Sequence, residues 1–522
     1  MFLTSPPPPW QMRKMQDQTS LPDRPLALER AALGLVLGLA LARLALAGHA
    51  LLSSDESYYW HWIHPLQLSY LDHPAMVAWW IWGGVQLLGE TALGVRLPAV
   101  LGSLVTTALV WDTARLAFRS RAAGAWAAIL INSTVLFSSA GVIVTPDTPL
   151  LVFWSLALWG FVRLIALGQA RYIFVVGAAL GLGAISKYTI ALILPGAVAT
   201  FLLFPGPRAW LKRPATYGAV LLSLACTWPL ILWNMQNDYA SFRKQLGHAF
   251  DVPAPVKPLP NLLSFLGSQV GLVTPILFAL CLWAMGWALW RGWKDKRPEW
   301  FLLGAASAPI LAFFAQHALS GLVQAHWGGP AYLGACIALA GFATRRRWLM
   351  AGSGLGVLLT LALFFQAGTA ALPIPIKIDA LKRLGGWDEL AQAVQQERDS
   401  HPQAFFLFTE KHEATGPVSF YLPDHAPVFL QGHIRPSYVT PEQVAALGGH
   451  DALFITESRS ASPQDYVPQW FGKLTLLRSV DLHWGKKVAD RYDIYLAEGY
   501  EGGMLVQGDG WNGERDSRVT QP

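Results

Sequence analysis

The chain has 522 residues, 53% of them hydrophobic and only 14% charged, with a net charge of +6. Soluble domains carry about 25% charged residues, so this composition excludes an ordinary soluble fold and points into a bilayer. The Lys and Arg residues lie in short clusters between apolar runs, not along one basic face, which argues against nucleic acid as a partner.

Residues 1–26 are polar and Pro-rich and read as a cytoplasmic tail. The apolar run over about 31–53 is longer than the roughly 7–15 residues of a signal-peptide core, so it reads as a retained first span. A span takes about 20 mostly apolar residues. By that measure the runs at 29–51, 95–116, 123–144, 148–168, 172–186, 189–205, 215–234, 262–290, 299–317, 328–343 and 348–368 predict about eleven transmembrane helices. Together they form a transmembrane unit over 27–368. The stretch 52–94 is broken by acids, His and Pro and reads as a loop with two amphipathic, Trp-rich helices at the membrane surface. The 24 tryptophans fit such long membrane–water interfaces.

Alternate loops differ sharply in charge. Nineteen Lys and Arg, among them Arg121, Arg213, Arg297 and Arg347, fall in one set, and only Arg96, Lys187, Arg243, Lys244 and Lys257 in the other. The positive-inside rule then places the N-terminus in the cytoplasm and the C-terminal part in the periplasm of a bacterial inner membrane. From 369 the character changes. The runs "AFFLFTE", "APVFLQ", "DALFITE", "LTLLRSV" and "YDIYLAE" alternate with helical or turn segments, which predicts a small periplasmic α/β domain over 369–500. Residues 501–522 are Gly-rich and polar and read as disordered. Cys226, Cys281 and Cys336 lie inside apolar runs without C-x-x-C or Cys/His spacing, against a disulfide framework or structural zinc.

The predicted topology sorts the polar residues onto one side. Asp55 and Glu56 follow the first span, Asp72 and His73 lie in the loop, and Asp147 opens the fourth span. Arg96, Lys187, Arg243, Lys244 and His326 are at the same level. Each has a plain structural reading too. Asp147 after Thr145-Pro146 complements a helix dipole, and Lys187 snorkels. Arg243 and Lys244 fit an ordinary charged loop, and Arg43 a paired intramembrane residue. Asp72-His73-Pro74 predicts a helix start whose free amides, with His73, hold a phosphate.

The stretch "DESYYWHWIHPLQLSYLDHPAMVAWWIWGGVQLLGETALGVRLPAVL", with "TPDTPLL", "HWGGPAY" and "LGGWDEL", resembles the GT-C membrane glycosyltransferases. The likeness is to the protein mannosyltransferase-like and aminoarabinose lipid A transferase branch. The resemblance implies a mainly α, polytopic fold and transfer of a sugar from a polyprenyl-phosphate donor to an envelope lipid or glycan acceptor at the periplasmic face. It carries an acid role onto Asp55 and functional roles onto Asp72, His73 and Asp147. The chain lacks the family's Arg in "SYY" and has Asp72-His73-Pro74 in place of Glu-Lys-Pro.

In this reading Asp55 is the base in an inverting transfer, with Glu56 and Asp147 as the other catalytic candidates. Asp72, His73, Arg96, Lys187, Arg243 and His326 bind donor phosphate or substrate. No metal is assigned as a cofactor, a divalent ion on Asp55, Asp72 and Asp147 being the alternative. A protein O-mannosyltransferase-like enzyme and a flippase for a lipid-linked sugar are the rival functions. The flippase fits less well, because transporters place their sites near the midplane and usually carry repeats.

Overall fold

A computed structural model describes residues 26–250, 257–343, 346–430, 446–459, 463–465 and 467–502. All but Leu26 of the expected N-terminal tail, and the expected C-terminal tail from residue 503 on, lie outside the described residues.

In hydrocarbon, backbone polar groups must be bonded within their own segment, so apolar runs fold as helices. Helix α1 (Leu26–His49) leads to α2 (Ser54–His61) and α3 (Met76–Leu88), the two helices expected in the loop. Then follow α4 (Ala92–Phe118), α5 (Arg121–Asn132), α6 (Val135–Ala140), α7 (Asp147–Leu167) and α8 (Arg171–Ala184). A 3₁₀ segment, Tyr188–Ile193, precedes α9 (Leu194–Leu203), α10 (Pro214–Gln236), α11 (Ala240–Phe250) and α12 (Pro258–Val273). The bundle ends with α13 (Pro275–Lys294), α14 (Pro298–Ala305), α15 (Ala308–His317), α16 (Ala331–Phe342) and α17 (Arg346–Thr369).

Among the described residues seven helices are long and apolar enough to cross a membrane, taking α14 and α15 as one. The pair Tyr188–Leu203 and Pro205–Lys212, bent by 100°, makes an eighth if counted as one span. Three runs expected as single helices are broken, that at 299–317 into α14 and α15 at Ala306 and Ser307. The run at 123–144 divides into α5 and α6 at Ser133 and Thr134, and the run at 262–290 divides at Thr274, whose φ is 72°. Pro275 in the first turn of α13 can begin a helix but cannot continue one, which sets that break.

Small residues set the helix spacing. A Cβ at Gly177 would lie 2.3 Å from the Ala219 carbonyl oxygen, and one at Gly181 2.4 Å from that of Ser223, so α8 and α10 meet backbone to backbone. Arg43 is fully buried and donates to Ser103 Oγ (3.1 Å), Asn132 Oδ1 (3.0 Å) and Ser138 Oγ (3.4 Å). Cys226, Cys281 and Cys336 are free thiols.

All five C-terminal runs read as strands are strands: β1 (Ala404–Thr409), β2 (Val428–Leu430), β3 (Asp451–Glu457), β4 (Phe471–Trp484) and β5 (Lys487–Tyr500). They form one sheet in the order β2-β1-β3-β5-β4, parallel across the first three and antiparallel across the last. The two-residue strand period sorts its faces. Leu407, Leu453, Ile455 and Ile494 pack against α18 (Trp387–Ser400) and α19 (His412–Tyr421), while Phe406, Phe408, Phe454 and Phe471 form the core of the other face. Helix α19 is pressed onto α2. A Cβ at Gly416 would lie 2.8 Å from the Ser57 carbonyl carbon, and Tyr421 Oη accepts from Leu52 N–H at 2.7 Å. The sheet region and the 52–94 loop thus gather at one end of the bundle.

Candidate active site

The site begins with the local chemistry of "SSDE". Ser53 and Glu56 form a capping box: Ser53 Oγ accepts from Glu56 N–H (3.3 Å), and Glu56 Oε2 accepts from Ser53 N–H (3.0 Å). Glu56 is fully buried against Arg96 of α4. Arg96 Nε reaches Glu56 Oε1 and Nη2 reaches Oε2, both at 2.7 Å. Its remaining N–H groups go to the carbonyls of Ala50 (2.6 Å), Leu51 (2.8 Å) and Ala47 (3.4 Å). Glu56 Oε1 also accepts from Val144 N–H at 3.3 Å. All five guanidinium donors are committed, so Arg96 has none for a phosphate. Glu56, expected as a catalytic candidate, is equally occupied. The pair clamps α2 to α4 and to the approach of α7.

Asp55, one residue earlier, points the other way. It is exposed and has no hydrogen-bond or ion-pair partner among the described residues. Its neighbour at i+3, Tyr58, donates to Asp72 Oδ2, and Lys244 of α11 pairs with Asp72 Oδ1. Gln245 Nε2 donates to the Asp72 carbonyl at 2.7 Å. Asp72 is therefore a junction between α2, the loop and α11, with no carboxylate oxygen left unshared.

Asp147 is 6% exposed and sits in the first turn of α7. Lys187 Nζ contacts both its oxygens, at 2.9 and 2.8 Å, and His326 Nε2 lies 3.3 Å from Oδ2. The Lys187 ammonium is 5.5 Å from the centre of the Trp327 ring. Asp147 thus neutralises a buried lysine, a stronger role than complementing a dipole. Arg243 is exposed, on the same helix as Lys244. Sequence reasoning missed Tyr58, Gln245 and Trp327, which carry no charge. The one signal for Tyr58 was its i+3 spacing from Asp55.

His73, expected to help hold a phosphate, lies beside these groups. Its Nδ1 is buried and has no hydrogen-bond partner among the described residues. Burial pushes its pKa down to about 4, and Lys187 and Lys244 push the same way against the opposing pull of Asp72 and Asp147. The imidazole is neutral at pH 7. The helix start that it was expected to share with a phosphate is also covered: Ala75, Met76, Val77 and Ala78 are buried, and Met76 N–H donates to Ile185 O at 2.9 Å. Burial and the nearby His64 lower His61 to about 4 as well.

This fixes a sign for pH dependence. An unfolded chain protonates these histidines near 6.5, before the folded protein does, so stability falls as pH drops from about 6.5 to about 4. Each should contribute on the order of 1–3 kcal/mol to that loss. In detergent, His73→Gln should unfold with a shallower decline in melting temperature over this interval. An unchanged decline would mean that His73 is accessible to protons.

Among the described residues no three His, Cys, Asp or Glu side chains converge as a metal site. Asp72 and Asp147 are bound instead to separate lysines.

The helical bundle with an acid-and-lysine cluster at one end and a small sheet beside it has a GT-C-like fold, as its superposition on a solved structure shows. Comparison with known proteins agrees with the resemblance read from the sequence. Residues 72–233 match the family model for dolichyl-phosphate-mannose-protein mannosyltransferase. The chain is similar to the lipid A galacturonosyltransferase RgtD of Rhizobium johnstonii, 28% identical over 320 residues, or 59% of this chain and 64% of that protein. It is also 28% identical over 238 residues to the undecaprenyl phosphate-alpha-4-amino-4-deoxy-L-arabinose arabinosyl transferase 2 of Pseudomonas fluorescens, 41% of this chain and 43% of that protein. The chain thus spans less than two thirds of the length of each of these relatives. The crystal structure of ArnT from Cupriavidus metallidurans bound to undecaprenyl phosphate superposes with a TM-score of 0.60 at 15% identity, covering 89% of this chain and 97% of that one.

Proposed function

We propose that this protein is an integral-membrane glycosyltransferase that moves a sugar from a polyprenyl-phosphate donor onto an envelope lipid such as lipid A, with inversion at the anomeric carbon. The observation that carries the reading is the division of labour between adjacent acids. Asp55 is exposed and unpartnered among the described residues, Glu56 is committed to Arg96, Ser53 and Val144, and Tyr58 links the Asp55 helix to Asp72 and Lys244. An unshared carboxylate on the helix whose Tyr58 reaches the Asp72–Lys244 pair suits attack by a hydroxyl on a phosphate-linked sugar. The relatives support the donor and the acceptor: their names specify undecaprenyl phosphate and lipid A.

In the proposed step Asp55 takes the proton of the acceptor hydroxyl as its oxygen bonds to the anomeric carbon. The bond from that carbon to the phosphate oxygen breaks, and polyprenyl phosphate leaves with the electron pair. Lys187 and Lys244, held ready by Asp147 and Asp72, turn towards the leaving phosphate and offset its growing charge. Arg243 adds a cation at the mouth, His326 balances Asp147 when Lys187 swings away, and neutral His73 is a hydrogen-bonding wall. Arg96 and Glu56 act by holding α2 in place. If the acceptor group is itself a phosphate it is already ionised, and Asp55 orients it instead.

The proposal extends to placement: about eleven spans over 27–368, N-terminus cytoplasmic, with loop 52–94 and a domain over 369–500 periplasmic. Reporter fusions after Arg121, Arg213, Arg297 and Arg347 should report cytoplasm and a fusion after residue 375 periplasm; a cytoplasmic C-terminal part would overturn this orientation. The activity itself is tested with purified protein, a synthetic undecaprenyl-phosphate sugar and lipid A. Glycosylated lipid A of inverted anomeric configuration is expected, with free undecaprenyl phosphate. Movement of intact donor across vesicles without transfer would establish a flippase instead.

A further inference from the structure

A groove of about 530 Å³ opens beside the acid cluster, between the loop ahead of Asp72 and the end of α10. This is within the roughly 300–1,000 Å³ of small-molecule sites. Its lining is unlike that of the cluster. Trp79 and Trp233 form the walls, Gln67, Gln236 and Asn237 supply amides, Leu66 and Leu68 form the rim, and no lining residue is charged.

The indoles are fixed. Trp79 Nε1 donates to the Gln67 carbonyl at 2.9 Å, and Trp233 Nε1 to Gln67 Oε1 at 3.1 Å. The Gln236 side chain is exposed and makes no hydrogen bond among the described residues. Asn237 Nδ2 is bound to Trp233 O at 2.8 Å, which leaves its Oδ1 open. Leu66 and Leu68 are each 40% exposed.

We infer that this groove holds an uncharged sugar ring of the acceptor glycolipid, a subsite apart from the phosphate-binding lysines. The chemistry selects the occupant. A pyranose has C–H faces that lie on indole and hydroxyls that pair with amides. A phosphate would find no cation here. A bare acyl chain would strip water from Gln236 and Asn237 without replacing those hydrogen bonds, a net cost. The exposed leucines meet the apolar part of the same lipid.

Position gives the sugar a use. Gln67 N–H donates to Tyr70 Oη at 2.9 Å, two residues before Asp72, and Asn237 is three residues ahead of α11, which supplies Lys244 and Gln245 to Asp72. Both walls of the groove thus run directly into the Asp72 junction. As an acceptor subsite, the inference rests on the transferase reading above.

The test uses a photoreactive octyl hexoside, so no acceptor need be identified. In detergent-purified protein, adducts mapped by mass spectrometry are expected at 66–68, 79 and 233–237, and a neutral disaccharide should compete. Gln236→Ala with Asn237→Ala, the first exposed and the second half-buried, should cut labelling there about five- to tenfold, the loss expected from two hydrogen bonds. Undecaprenyl-phosphate binding should be unchanged. Equal labelling by an octyl photoprobe without a sugar, or labelling indifferent to the double substitution, overturns the subsite and leaves the transferase reading standing. Groove labelling in a protein that turns over no lipid-linked donor supports the sugar site and refutes the transferase reading.

Discussion

Asp55→Asn protein is expected to transfer sugar about 10²–10⁴ times more slowly than the parent, the usual cost of losing a positioned general base. The substitution keeps size and much of the hydrogen-bonding shape but removes basicity. Asp55 has no partner among the described residues, so no ion pair is broken and the fold should stand. Donor binding, assigned to Lys187, Lys244 and Arg243, should change little. Single-turnover transfer from a synthetic donor separates the two. A rate within threefold of the parent would remove Asp55 as the base. Asp147→Asn should fail differently: it frees Lys187 from its bidentate partner, so donor affinity and stability should move together with rate.

Arg96→Met should cost about 3–5 kcal/mol of stability, because it leaves the buried Glu56 carboxylate without its partner. Glu56→Gln alone should cost less, since the amide oxygen still accepts from Arg96 or Val144. The informative protein is the double variant Glu56→Gln, Arg96→Met, which removes both charges together. It should recover a good part of the loss, as buried pairs do when replaced whole. Thermal unfolding of the four proteins in one detergent gives the coupling. Additive losses would mean that the two charges are not coupled, contrary to their 2.7 Å contacts.

Apolar runs were legible as helices because hydrocarbon permits little else, and the alternating C-terminal strands because one face had to be buried. The breaks were not. Composition is nearly uniform through a membrane run, so Ser133 and Thr274 carried no hydropathy signal, although Pro275 announced one of the two. Asp55 and Glu56 were legible as an adjacent pair of acids after the first span, but not as opposites. Adjacent positions on a helix differ by about 100° in facing, and only the packing against Arg96 shows which acid faces inward. The charge state of His73 was not legible either. A sequence shows a group that can be charged, whereas burial beside Lys187 decides that it is not. Tyr58 and the groove amides went unnoticed because neutral residues in a loop have no contrast with their surroundings.

The Glu56 carboxylate joins three places in the chain, from Ser53 through Arg96 to Val144. Synthesis delivers them in that order, with α2 and α3 between Ser53 and Arg96 and the rest of α4, α5 and α6 between Arg96 and Val144. When α2 first emerges, its buried acid has no counter-charge and no third anchor. Arg96 arrives with the next span, and Val144 only after two further helices. The loop that carries Asp55 therefore acquires its final shape late, as a product of assembly of the first half of the bundle and not of its own sequence. A nascent chain halted ahead of residue 144 would display every residue of "SSDESYY" and still lack the Val144 contact that completes the Glu56 network.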